Sequence, residues 1–252
     1  MFYYYGGKAR IAGRYPAPLY RTVIEPFAGA AGYSMHHLRK GNIDRAILIE
    51  KDPRVFELWR RLLAMTPEDV LNIPIPKAGD ETADFFYMTT ATSNGVAVSR
   101  RMTVTKRMPE LVEMMRRRVA GLLPFAQGHV EVIHGDYRDA PDVEATWFID
   151  PPYQPHPDKA TSSKTHCAQG LGYAPGCDAS CLDFPSLGEW ARTRRGQALV
   201  VEQEGADWLP FVRVLAGGYD SQGRRKPEVL WTQSVTHVET CDLDADCICG
   251  VA

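Results

Sequence analysis

Residues 21–34 read RTVIEPFAGAAGYS and residues 45–59 read RAILIEKDPRVFELW. Each begins with a short apolar run that ends on a carboxylate, Arg21–Glu25 and Arg45–Glu50, the pattern of a buried strand. The first run enters a glycine-containing turn, Phe27–Gly32, followed by a helix predicted over Tyr33–Lys40. The second meets Asp52 and Pro53, an N-cap and a first-turn residue. They open a helix that places Val55, Phe56, Trp59, Leu62 and Leu63 at helical spacing. Two strand–helix units in about 45 residues imply an α/β fold with a parallel, doubly wound sheet covered on both faces.

Outward from this core the rhythm changes. Pro67, Pro74 and Pro76 interrupt residues 66–108, and TTATSNG within them is a loop signal. This stretch reads as an inserted subdomain between 1–65 and 109–252. Pro109 predicts the start of a helix with Leu111, Val112, Met115 and Val119 inward. Strands resume at His129–Ile133, Ala145–Ile149 and Ala198–Glu202, and Phe211–Leu215 and Glu228–Val238 read as an antiparallel hairpin around a basic turn. Residues 154–182, rich in Pro, Gly, Ser and Cys, read as a long loop.

Composition bounds the function. With 252 residues, 44% hydrophobic and 24% charged, the chain has ample material for one large core and is not mainly disordered. No apolar run reaches the roughly 18–20 residues that span a bilayer, and MFYYYGGKAR has no apolar signal region. A soluble cytoplasmic protein is expected, with no membrane partner and as a monomer. A net charge of −2 carries no polyanion signal, but arginine outnumbers lysine 21 to 8, and arginine is the better fork for phosphate and guanine edges.

Chemistry concentrates in two motifs. In VIEPFAGAAGYS, Gly29 and Gly32 let the backbone turn tightly where Rossmann-like sheets bind nucleotides, and Glu50 ends the next strand where a carboxylate can accept from ribose hydroxyls. In WFIDPPY, a buried strand delivers Asp150 to its carboxyl end, and Pro151 and Pro152 hold the chain extended. Neither proline has an N–H, so an acid, a carbonyl and the Tyr153 ring form a mouth suited to an exocyclic amino group on a planar base.

These motifs, in this order, resemble the Dam-like DNA adenine-N6 methyltransferases, which use S-adenosylmethionine. YYYGGKAR is similar to the segment that touches the cofactor's methionine part, which carries over Tyr4 and Lys8. EPFAGAAGYS resembles the cofactor loop with Phe27, Gly29 and Gly32, and LIEKDP the ribose-binding strand end with Glu50. HGDYRD resembles the segment beside the cofactor adenine, with Asp136 and Tyr137. FIDPPY resembles the catalytic motif, Asp150, Pro151, Pro152 and Tyr153, with Asp150 also touching the cofactor, and RRKPEVLWT the last strands of bacteriophage and prophage members. The resemblance implies a Rossmann-like S-adenosylmethionine-dependent methyltransferase fold: a mixed, mostly parallel sheet ending in an antiparallel hairpin, with a target-recognition insertion at 66–108. It implies direct methyl transfer to a flipped adenine in double-stranded DNA, with restriction–modification as one setting. Arg100, Arg101, Lys106 and Arg107 of the insertion, and Arg224, Arg225 and Lys226 of the hairpin tip, are the expected DNA contacts.

Other classes stay in view. A related enzyme acting on cytosine N4 or on RNA, or an idle DNA- or cofactor-binding protein, would share much of this pattern. No cysteine sits in a Pro-Cys motif, which argues against cytosine-C5 chemistry, and GGKAR lacks the Ser/Thr of a phosphate loop. The six cysteines, Cys167, Cys177, Cys181, Cys241, Cys247 and Cys249, have no standard zinc spacing, so no metal is expected, although the two clusters together could supply four thiolates.

Overall fold

The computed structural model describes residues 1–2, 4, 7–82, 86, 102–155, 174, 176–215 and 228–233. Strand β1 (Thr22–Glu25) leads to helix α1 (Gly32–Lys40), and β2 (Arg45–Glu50) leads to α2 (Pro53–Leu63). A short helix α3 (Pro67–Leu71), a small antiparallel pair β3 (Glu81–Thr82) and β4 (Met102–Thr103), and a long helix α4 (Met108–Ala126) follow. The chain then forms β5 (Val130–His134), β6 (Ala145–Ile149), α5 (Phe184–Arg192), β7 (Gly196–Gln203), β8 (Val212–Leu215) and β9 (Glu228–Thr232).

The main sheet has the order β5-β2-β1-β6-β7-β9-β8. The five strands from β5 to β7 are parallel, and β9 runs against both β7 and β8. The fold is therefore α/β, mostly parallel with an antiparallel pair at its C-terminal end, an arrangement compatible with a Rossmann-like fold. The expected strands are all present, each within about two residues of its predicted bounds, except that β9 ends at Thr232 and 234–238 lie outside the described residues.

Alternation along each strand explains the two covered faces. Val23, Leu48, Phe148, Leu199 and Val201 point to one face, where α1, α2 and α4 bury Tyr33, Trp59 and Met115. Ile24, Ile47, Ile49, Trp147 and Val200 point to the other, where Ala191 of α5 and the partly buried Trp190 pack. Within 66–108, Val70, Ile73, Phe86 and Val104 join the first core rather than forming one of their own.

Candidate active site

The glycine bend is built by packing as much as by the glycines. Gly29 and Ala31 adopt left-handed φ values of 46° and 47°, and α1 begins immediately afterwards. The buried Trp59 of α2 donates its indole N–H to the Gly29 carbonyl at 2.7 Å. Glu50 accepts the Gly29 N–H at 2.9 Å, and Glu25 accepts the Ser34 N–H at 2.7 Å at the start of α1. A carboxylate at a helix N-terminus complements the helix dipole.

Beyond the tight turn expected of Gly29 and Gly32, the room left by their missing side chains is taken by the chain itself. A Cβ on Gly29 would stand 2.7 Å from the Tyr4 ring, and one on Gly32 2.7 Å from the Ala9 nitrogen and 2.9 Å from the Lys8 carbonyl carbon. The bend is thus a seat for the N-terminal segment. This seating turns Lys8 into the interior, where it is only 4% exposed.

Asp150 follows β6, whose five residues are all buried. Lys8 Nζ lies 2.9 Å from Asp150 Oδ2, 3.5 Å from Glu228 Oε1 and 4.9 Å from the centre of the Tyr153 ring. The Tyr153 hydroxyl donates to Glu228 Oε1 at 3.0 Å, and the Tyr15 hydroxyl donates to Glu228 Oε2. The acid is not sealed in, since its side chain is 17% exposed. Burial pushes its pKa up to about 6, with Glu228 adding to the rise and Lys8 opposing it. Burial also works against the Lys8 charge, but Asp150 and Glu228 outweigh it and the ammonium pKa moves upward.

On one side, Gln154 continues the motif with its backbone braced. Its N–H donates to Glu202 Oε2 at 2.9 Å, its carbonyl accepts from the Gln203 amide, and its side-chain amide donates to Asp207 at 3.0 Å. Glu202 also accepts from Trp208 Nε1 at 3.1 Å, and burial pushes its pKa up to about 8. On the other side, Glu50 ends β2, with burial pushing its pKa up to about 7 against backbone N–H donors from Asp52, Gly29 and Lys51. Beyond β5, Asp136 caps a turn of 3-10 helix and pairs with Lys51 at 3.3 Å and Arg138 at 2.7 Å. Phe27 stacks on Tyr137 with ring centres 5.5 Å apart.

The expected site residues Tyr4, Lys8, Gly29, Gly32, Glu50, Asp150 and Tyr153 are therefore linked through direct contacts at one edge of the sheet, with Phe27, Asp136 and Tyr137 extending them toward β5. Of the expected DNA contacts, Lys106 and Arg107 are exposed on the turn before α4. Arg100, Arg101, Arg224, Arg225 and Lys226 lie outside the described residues, as do Cys167, Cys241, Cys247 and Cys249. Cys177 and Cys181 are present as thiols. A surface concavity lined by Asp44, Arg45, His129 and Glu131 lies at the opposite edge, where β2 and β5 begin, and is bordered by an exposed Arg45–Glu131 ion pair.

Three residues were not foreseen as part of the site: Tyr15, Glu202 and Glu228. Glu202 closed the apolar run predicted over Ala198–Glu202, the same position that drew attention to Glu50. Glu228 opens a strand rather than ending one, and only the reversed direction of β9 brings it to this edge. Lys8, the one buried lysine among the described residues, pairs with Asp150 and Glu228, and Glu25, Glu50 and Glu202 are further buried acids at the same strand ends. Such a site favours a cationic ligand and neutral N–H donors, and it disfavours a bare phosphate. Comparison of the chain with models of known protein families and with curated proteins finds no match.

Proposed function

We propose that this chain is a DNA methyltransferase that transfers a methyl group from S-adenosylmethionine to the N6 amino group of adenine. One observation carries this reading. The Asp150–Tyr153 motif leaves the strand next to the one that ends in the glycine bend, and Lys8 touches both the acid and the bend. The antiparallel pair at the sheet end also matches what the resemblance implies.

The residues fit the cofactor. A carboxylate has about four acceptor positions, and the three backbone N–H groups at Glu50 leave one for a ribose hydroxyl. Phe27, Asp136 and Tyr137 would flank the adenine, and Tyr4, Lys8, Gly29 and Gly32 the methionine part. The acidic edge compensates a positive sulfur. When bound, S-adenosylmethionine supplies an electrophilic methyl group on its sulfonium.

The chain's own groups then have defined tasks. The adenine amino nitrogen is a weak nucleophile because its electron pair is delocalised into the ring. Asp150, ionised, accepts one amino N–H, and the Pro151 carbonyl accepts the other; no described residue donates a hydrogen bond to that carbonyl. Both bonds favour a pyramidal nitrogen with a localised pair. Tyr153 stacks on the base and replaces neighbours lost when it leaves the duplex. Positioning and electrostatics supply the catalysis, and no covalent enzyme intermediate is needed.

The test is methylation of duplex DNA by the purified protein, followed by digestion to nucleosides and mass spectrometry. N6-methyladenine is the expected product. N4-methylcytosine alone, or methylation confined to RNA, overturns the adenine assignment. Asp150→Ala should lower the transfer rate by more than about 10³-fold while calorimetry shows cofactor affinity largely kept, as expected when a transition-state contact is removed. Undiminished transfer by that variant removes the role given to Asp150.

A further inference from the structure

Glu228 is the hub of the polar contacts around Asp150, yet it belongs to neither motif. Its side chain is 12% exposed and stands where β9 begins, paired in register with Gln203 at the end of β7. Three donors converge on it: the Tyr153 hydroxyl at 3.0 Å, the Tyr15 hydroxyl, and the Lys8 ammonium at 3.5 Å. Two of the three, Tyr153 and Lys8, also lie beside Asp150.

From this juxtaposition we propose that Glu228 is a positioning residue that draws the Tyr153 proton and part of the Lys8 charge away from Asp150, leaving Asp150 an acceptor for the substrate amino group. The inference rests on the methyl-transfer reading for its consequence, but not for its geometry. Tyr153 stands within hydrogen-bonding reach of Asp150 as well, but it has one phenolic proton, and the 3.0 Å bond to Glu228 competes with Asp150 for it. The same bond anchors the far end of the ring, while Pro151 and Pro152 hold the near end. Without Glu228, the Tyr153 proton would turn to Asp150, and Lys8, already 2.9 Å from Asp150 Oδ2, would pair with Asp150 alone. Glu228 also keeps the Lys8–Asp150–Glu228 cluster at one net negative charge, which suits a cationic ligand.

Three variants test this: Glu228→Ala, Glu228→Gln and Tyr15→Phe. Single-turnover methyl transfer by Glu228→Ala should fall about 10- to 100-fold, the range for loss of a charged hydrogen-bonding partner, with cofactor affinity changed less than about 3-fold. Glu228→Gln keeps an acceptor for Tyr153 and should recover much of the rate, and its acid limb should move to lower pH because the nearby negative charge is gone. Tyr15→Phe should cause a smaller loss of rate. Equal losses of rate and cofactor affinity, unrescued by glutamine, would make Glu228 merely structural and overturn the proposal.

A readout independent of DNA separates this idea from the function it rests on. Carbon-13 NMR can follow the Asp150 carboxyl in the cofactor-free protein, assigned through Asp150→Asn. The groups facing Asp150 are Lys8 from the N-terminal segment, Tyr15, Tyr153, Glu25 from β1, Glu202 from β7 and Glu228 from β9. Only Glu228 changes in Glu228→Gln, so the Asp150 midpoint should fall. A midpoint that stays in place overturns the role of Glu228 even if the wild-type protein methylates DNA. A shifted midpoint in a protein that transfers no methyl group upholds the charge coupling and rejects the reaction.

Discussion

An alanine, not a glycine, makes the last left-handed step into α1. Ala31 is fully buried with φ 47°, a conformation that costs an L residue roughly 1–2 kcal/mol. The surrounding packing holds it there. Gly32, by contrast, has an ordinary φ and is needed for space, because the Lys8–Ala9 backbone crosses where its Cβ would be. Gly32→Ala should therefore destabilise the protein by about 1–3 kcal/mol, an overpacking cost against backbone that cannot swing aside. Since the same segment carries Lys8, the proposed methyl transfer should fall with stability. Gly121→Ala is the contrasting case: Gly121 lies in α4, with open space around its would-be Cβ. That substitution should stabilise by about 0.5–1 kcal/mol. Urea unfolding of both variants measures the difference. A Gly32→Ala protein as stable as the wild type removes the proposed backbone contact.

Among the elements, α2 is the clearest link between local signal and site. Asp52 caps it, accepting the Arg54 N–H at 2.9 Å and pairing with the Arg54 guanidinium at 2.5 Å. It also accepts the Ala174 N–H at 3.3 Å, so the cap ties a residue 122 positions further along the chain to this helix. The same helix supplies Trp59, which holds the Gly29 carbonyl. Asp52→Ala should cost about 1–2 kcal/mol, the upper range for a lost N-cap, because a buried partner is stranded as well. For a chain of this size that corresponds to a Tm lower by roughly 2–8 °C. Calorimetry checks it; an unchanged Tm would mean the cap bonds contribute nothing to folding.

At the level of the whole molecule, the acidic edge makes stability depend on pH. Burial pushes Glu25 and Glu50 up to about 7 and Glu202 up to about 8, above the ordinary glutamate value of 4.5. The folded state therefore binds more protons than the unfolded chain over the interval between those values. Stability from these groups is complete below about pH 4.5 and is lost as pH rises through 7 and 8. His37 and the Met1 amino group, both lowered by burial to about 4, act in the opposite sense, His37 up to its ordinary value of 6.5 and the amino group up to 8.0. Between pH 6.5 and 8 the three raised glutamates outweigh the one lowered amine, and the protein alone should lose stability on the order of 1–3 kcal/mol. Saturating S-adenosylmethionine should flatten that slope, because a sulfonium favours the ionised carboxylates. Thermal unfolding across this range, with and without the cofactor, tests both statements. A slope of the opposite sign rejects the picture of raised buried acids, and a slope indifferent to the cofactor separates those acids from its binding.

The strands, their parallel winding and the two motifs at the sheet edge were legible along the chain, because burial alternates with short periods and because a strand that ends in an acid or in Asp-Pro-Pro announces itself locally. Glu25, Glu50 and Asp150 could be found this way. Lys8 could be named through a resemblance, but its ion pair with Asp150 depends on a segment folding back more than a hundred residues. Tyr15 carries no local signal, and Glu228 was legible only as the first residue of a strand, not as part of the site. They reach the acid only because β9 reverses beside β7 and the N-terminal segment lies in the space left by Gly32. Which charges share one low-dielectric corner, and so which protons shift, is a property of that three-dimensional assembly.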